Sequence, residues 1–210
     1  VAVGWREQVA DLAALRDVWG LEQLHLLGYS WGGLLAMLYA VTHPTRVASL
    51  ALVSPAPAAK QERAVYEAAL AARNATPELL AQRKALQESG LRAHDIPAYN
   101  QRLFELAVAG YFHDPSRVGE LTPFRLTGRT QQEVWNSLGE DFDLRPALRE
   151  LDVKAIVVHG DDDPIPLATA EATAAALRAP CVVLHDCGHV PYVEAAADFR
   201  AALDPFLPRA

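Results

Sequence analysis

Cysteine is scarce in this sequence: Cys181 and Cys187 are the only two in 210 residues. That is too few for a disulfide scaffold, and both are expected to be free thiols. Long apolar runs are missing too. None approaches the roughly 20 residues that span a bilayer, so no membrane partner is expected. Positive charge is in deficit, with 19 Lys and Arg against 26 Asp and Glu and a formal charge of -7. Such a balance repels phosphate backbones and anionic lipid, which argues against a nucleic-acid partner. With no secretory signal or lipidation motif in view, a cytoplasmic location is expected. What the sequence does have is a globular composition: 51% hydrophobic, 21% charged and 8% aromatic. A chain of this length buries roughly 70% of its unfolded surface, enough for a substantial core.

Periodicity divides the chain into three parts. In the first, residues 1–57, Val9, Leu12, Ala13, Leu15 and Val18 form one stripe at helical spacing between Trp5 and Trp19, with Gly20 as the stop. Leu24 to Leu27 is a short apolar strand running into Gly28, a helix resumes over Leu34 to Tyr39 and ends before Pro44, and Val47 to Val53 is a second buried strand. Residues 58–145 are rich in Ala, Leu, Glu, Gln and Arg, interrupted by Pro77, Pro97, Pro115 and Pro123, and predict a helical insertion without strands. Residues 146–210 return to the first texture. Strands are expected at Ala155–Val158 and Cys181–Leu184, and helices at Thr169–Leu177 and Tyr192–Leu207. Strands alternating with helices, each nearly continuous in Val, Ile and Leu, predict an α/β fold whose mostly parallel sheet is covered on both faces.

Gly28-Tyr29-Ser30-Trp31-Gly32 fits G-x-S-x-G and lies between a predicted strand and a predicted helix, the context in which that motif exposes a serine hydroxyl on a strained turn. The strain requires glycine at the flanking positions. A serine hydroxyl is a weak nucleophile at neutral pH. It needs an imidazole base, and the base needs a carboxylate to fix its tautomer. Both follow in the chain. His159-Gly160-Asp161-Asp162-Asp163-Pro164 closes the third strand with three candidate carboxylates, and Asp186-Cys187-Gly188-His189 follows the fourth with a candidate base. His25, His43, His94, His113, His159 and His185 suit that role less well and are expected to be structural or solvated. His159 with the three aspartates lacks metal-ligand spacing, so no metal and no cofactor is expected.

These residues resemble the α/β-hydrolase superfamily over about two-thirds of the chain, and most closely the proline iminopeptidase family of serine peptidases. Gly28-Tyr29-Ser30-Trp31-Gly32-Gly33, the following Tyr39-Ala40-Val41-Thr42-His43-Pro44-Thr45-Arg46-Val47 and the Asp186-Cys187-Gly188-His189 turn carry the likeness. The resemblance implies Ser30 as nucleophile, His189 as base and, by the family's G-x-x-D spacing from Gly160, Asp163 as the acid, with Asp162 as its rival. It implies the backbone N–H of Trp31 as an oxyanion donor. The insertion would be a cap that selects substrate, with Glu133 as a candidate for holding a free N-terminal ammonium. The expected activity is release of N-terminal proline or small residues from short peptides; a carboxylesterase or a non-catalytic module of the same fold are the alternatives. The family also begins with strands that have no counterpart here, one of which carries a second oxyanion donor. Leu24–Leu27 is therefore expected to be an open, apolar sheet edge. Three arrangements accommodate this: a piece of a longer hydrolase, which the missing Met favours, a second chain or homo-oligomer completing the sheet, or a minimal variant.

Overall fold

The structure, a computed structural model, describes residues 4–124 and 128–208. Its centre is a four-stranded parallel sheet in the order β1 (Leu24–Tyr29), β2 (Val47–Val53), β3 (Lys154–Gly160), β4 (Cys181–Leu184). Successive side chains on a strand point to opposite faces. Leu50, Leu52 and Val157 accordingly bury against α2 (Trp31–Thr42), α8 (Arg145–Arg149) and α9 (Leu167–Ala176), while Ala51, Val53, Ile156 and Val158 bury against α11 (Ala196–Leu203). Both faces of β2 and β3 are covered, which is why those central strands are largely apolar, whereas β1 leaves Leu27 half exposed. In α1 (Trp5–Val18) the predicted stripe is only half used. Val9 is buried and Leu12 and Ala13 pack on the core, whereas Leu15 and Val18 are exposed.

Residues 58–145 leave and rejoin the sheet at one point. Lys60 N–H donates to Phe142 O at 2.9 Å and Leu144 N–H to Ala58 O at 2.8 Å, zipping the two ends together. Between them run α3 (Lys60–Asn74), α4 (Pro77–Glu88), α5 (Leu91–His94), α6 (Ile96–Val108), two 3₁₀ turns and α7 (Gly128–Asn136). Prolines open α4 and α6 at their first turns, where the missing N–H costs nothing.

The last helix departs from expectation. Instead of one helix over Tyr192–Leu207 there are two, α10 (Pro191–Glu194) and α11, broken at Ala195. Arg117 fills the break: its guanidinium donates to the carbonyls of Val193 and Glu194 at 2.9 and 3.0 Å, acceptors that a continuous helix would occupy with its own next turn.

The sheet ends at β1, whose outer edge pairs with no strand among the described residues. An apolar groove of about 370 Å³ runs along it between Leu27, Tyr29, Tyr192 and Phe199. No described helix is long and apolar enough to cross a membrane.

Candidate active site

The C-terminal ends of β1, β3 and β4 converge on one point. Ser30 sits between β1 and α2 at φ 52°, ψ -119°, a backbone conformation costly for a residue with a Cβ. The turn is held from both sides: Ser30 N–H donates to Val53 O at 3.0 Å, and Ser30 O accepts from Ala56 N–H at 2.9 Å and Gly33 N–H at 3.0 Å. Sterics explain the glycines, with one correction. A Cβ on Gly28 would lie 2.3 Å from Gly32 O, and one on Gly33 would lie 2.8 Å from the Pro55 Cβ, but one on Gly32 would meet nothing within 4 Å. Gly28 and Gly33, rather than both motif glycines, are the positions the turn requires.

His189 Nε2 lies 2.9 Å from Ser30 Oγ, and Nδ1 lies 2.9 and 3.1 Å from Asp163 Oδ2 and Oδ1. The carboxylate can only accept, so Nδ1 carries the proton and Nε2 is free to accept from the serine hydroxyl. Asp163 Oδ1 also accepts Ile165 N–H at 2.7 Å. Burial alone would push the Asp163 carboxyl up, but the His189 imidazole, His159 and the Ile165 N–H hold it below the usual carboxylate range. It is ionised wherever the protein is folded near neutrality.

The neighbouring aspartates are engaged elsewhere. Asp162 is paired with Arg73 at 2.6 Å and His113 at 3.1 Å, and Asp161 with His185 at 3.0 Å. The structure therefore brings Asp163, and not Asp162, to His189.

The His189 loop is fixed by groups with no recognisable signal in the sequence. His189 N–H donates to Tyr111 O at 2.6 Å, and the rings of Tyr29 and Tyr111 flank the imidazole at 5.1 and 5.0 Å. Glu194 accepts from Gly188 N–H at 2.8 Å and Asp114 N–H at 2.9 Å, tying the loop to the 58–145 segment. Burial pushes the Tyr29 phenol up, so it stays neutral beside the imidazole. Burial likewise pushes the Cys187 thiol up to about 12, which removes it as a competing nucleophile.

Trp31 is the first residue of α2, and its N–H has no backbone partner among the described residues. Its indole donates to Gln8 at 2.9 Å and meets Trp135 edge-on at 5.2 Å, joining α1, α2 and α7 beside the nucleophile. Glu133 lies solvent-exposed on α7 and is not part of the Ser30–His189–Asp163 array, whose His189 and Asp163 are buried. No group of three His, Cys, Asp or Glu side chains among the described residues could hold a metal ion.

A sequence model of the alpha/beta hydrolase fold matches residues 5–196. The chain belongs to the alpha/beta hydrolase fold family. Within the family it is 29% identical over 222 residues to a 2-hydroxymuconate semialdehyde hydrolase of Pseudomonas sp. strain CF600, an alignment covering 99% of this chain and 74% of that protein. It is 28% identical to a proline iminopeptidase of Lactobacillus delbrueckii subsp. lactis, over 95% of this chain and 70% of the relative. The structure of an alpha/beta fold family hydrolase from Bacillus anthracis str. Sterne superposes with a TM-score of 0.72 at 17% identity, covering 97% of this chain and 74% of that one. In this alpha/beta hydrolase fold, parallel strands deliver three loops to one sheet edge, and the strained turn after β1 lifts Ser30 towards the imidazole.

Proposed function

We propose that the protein is a serine hydrolase working by acyl transfer, with Ser30 as nucleophile, His189 as general base and Asp163 as the carboxylate that orients it. The observation that carries this is the continuous array from Ser30 Oγ through His189 Nε2 and Nδ1 to Asp163, on a turn strained at Ser30. His189 takes the hydroxyl proton as Oγ attacks a carbonyl carbon, and Asp163 stabilises the imidazolium. The Trp31 N–H, at the positive end of α2, faces the developing oxyanion; such a donor is worth about 10²–10³ in turnover. His189 then protonates the leaving group, and water, activated by the same imidazole, releases the acyl group as an acid. No cofactor enters these steps.

The substrate we favour is a short peptide or aminoacyl arylamide with an N-terminal proline or small residue, chosen by the 58–145 segment acting as a cap. Support comes from the proline iminopeptidase that aligns with 95% of the chain. A second reading, a 2-hydroxymuconate semialdehyde-like substrate on the same serine, draws on the relative aligned over 99% of the chain. Turnover of a prolyl arylamide, short p-nitrophenyl esters and 2-hydroxymuconate semialdehyde separates them, with Ser30→Ala as control. Arylamide hydrolysed at least as readily as ester supports the peptidase; ester turnover alone points to a carboxylesterase and sinks it. Turnover of the semialdehyde alone selects the second reading. A fluorophosphonate that adds no mass to the intact chain would overturn serine chemistry and leave a non-catalytic module.

A further inference from the structure

His159 lies fully buried at the end of β3, four residues before Asp163. Its Nε2 is 2.8 Å from Ile165 O, an atom that only accepts, so Nε2 carries the proton and donates. Nδ1 has no hydrogen-bond partner among the described residues. Two residues, Ile165 and Asp163, connect this second imidazole to the first. Ile165 accepts from His159 with its carbonyl and grips Asp163 Oδ1 with its own N–H at 2.7 Å, and Asp163 in turn accepts from His189 Nδ1. His159 Nε2 also comes within 3.8 Å of Asp163 Oδ2. If His159 were charged it would compete with His189 for that carboxylate. Burial lowers its pKa against the opposing pull of Asp163, so it stays neutral and leaves the carboxylate to His189.

We infer that His159 is a positioning residue for the site: its neutral Nε2–H clamps the Asp163–Ile165 turn and so sets the aim of Asp163 at His189. The inference rests on the proposed role of Asp163 but not on any particular substrate. An apolar side chain of similar bulk could fill the space but would strand the buried Ile165 carbonyl without a donor. Glutamine can supply an amide N–H near the position of Nε2, whereas asparagine falls short of it.

The test compares the full chain with His159→Leu, His159→Gln and His159→Asn, using the second-order rate of fluorophosphonate labelling and the low-field proton resonance of the His189 Nδ1–H, assigned by its loss in Asp163→Asn. A slipped turn misplaces the base by a fraction of an ångström. Labelling should fall about 10- to 100-fold in His159→Leu and His159→Asn and return to within about threefold of wild type in His159→Gln. The resonance should follow the same order. Equal losses in the Gln and Asn variants would mean that a donor at the reach of Nε2 makes no difference, and wild-type labelling in His159→Leu would remove any role; either overturns the inference. Should the leucine variant fail to fold, the Gln–Asn comparison decides. If the wild type itself is not labelled, the serine-hydrolase reading fails, and the resonance alone judges His159: kept in Gln and lost in Asn supports the clamp, while no difference overturns it.

Discussion

Three consecutive carboxylates end β3, and the fold gives each a different partner. Asp161 and Asp162 hold exposed or half-exposed histidines, with Arg73 added on Asp162, whereas Asp163 is turned inward onto His189. Only the inward one can set the imidazole tautomer. Replacing Asp163 by Asn offers an amide N–H to Nδ1 and favours the tautomer with its proton on Nε2, where it cannot accept from Ser30. Turnover of any substrate that acylates Ser30 should drop by about 10⁴, with the fold intact. Asp162→Asn breaks an ion pair that is half open to solvent, worth at most about 1 kcal/mol, and turnover should stay within about twofold of wild type. Parallel kinetics on the two variants checks the assignment, and an equal loss in both would contradict it.

The turn joining β1 to α2 is governed by contact distances that a pattern search does not see. A methyl group at Gly28 would drive into the Gly32 carbonyl, which belongs to a helix backbone and cannot yield. Gly28→Ala should therefore cost about 3 kcal/mol or more, read as a lower denaturation midpoint. Gly32→Ala adds its methyl to open space in the first turn of α2 and should be neutral or stabilising by up to about 1 kcal/mol. The same contrast marks what was legible in the sequence. Strand–turn–helix around Ser30 was readable because apolar runs and the G-x-S-x-G spacing are local. That Ser30, His189 and one of the three aspartates meet could be anticipated because parallel strands send their C-terminal loops to one edge; the choice of Asp163 came from the family resemblance alone. What could not be read depends on residues far apart in sequence. The break at Ala195 is satisfied by Arg117, 76 and 77 positions from the carbonyls it takes. Tyr111 reaches the His189 loop through a backbone carbonyl, which carries no side-chain signal. His159, in the strand before the acid loop, looked structural because nothing in its spacing reveals the clamp on Ile165.

Two buried groups at the site tie the stability of the entire fold to pH in the same direction. The folded state depresses the pKa of His159, so the unfolded chain binds that proton more readily. Its contribution is complete above the ordinary histidine value of about 6.5 and is lost as pH falls below that towards the folded value. Asp163 is depressed as well, and its stabilisation is lost lower down, as pH drops below about 3.9 and through the folded value. Glu62 works the other way. Burial raises its carboxyl despite the pull of Arg145, so protonation in the carboxylate range favours the fold and partly masks the second step. The first step is the cleaner one. Tm should hold above pH 7 and begin to fall below about 6.5, each kcal/mol lost appearing as about 2–4 °C for a chain of this size. His159→Gln has nothing to titrate there and should lose that first step while keeping the acid one. A wild-type Tm unchanged between pH 7 and 5, or a step that survives in His159→Gln, would show that the imidazole at the end of β3 is not held neutral by the fold. A charged His159 would still donate to Ile165 but would compete with His189 for Asp163.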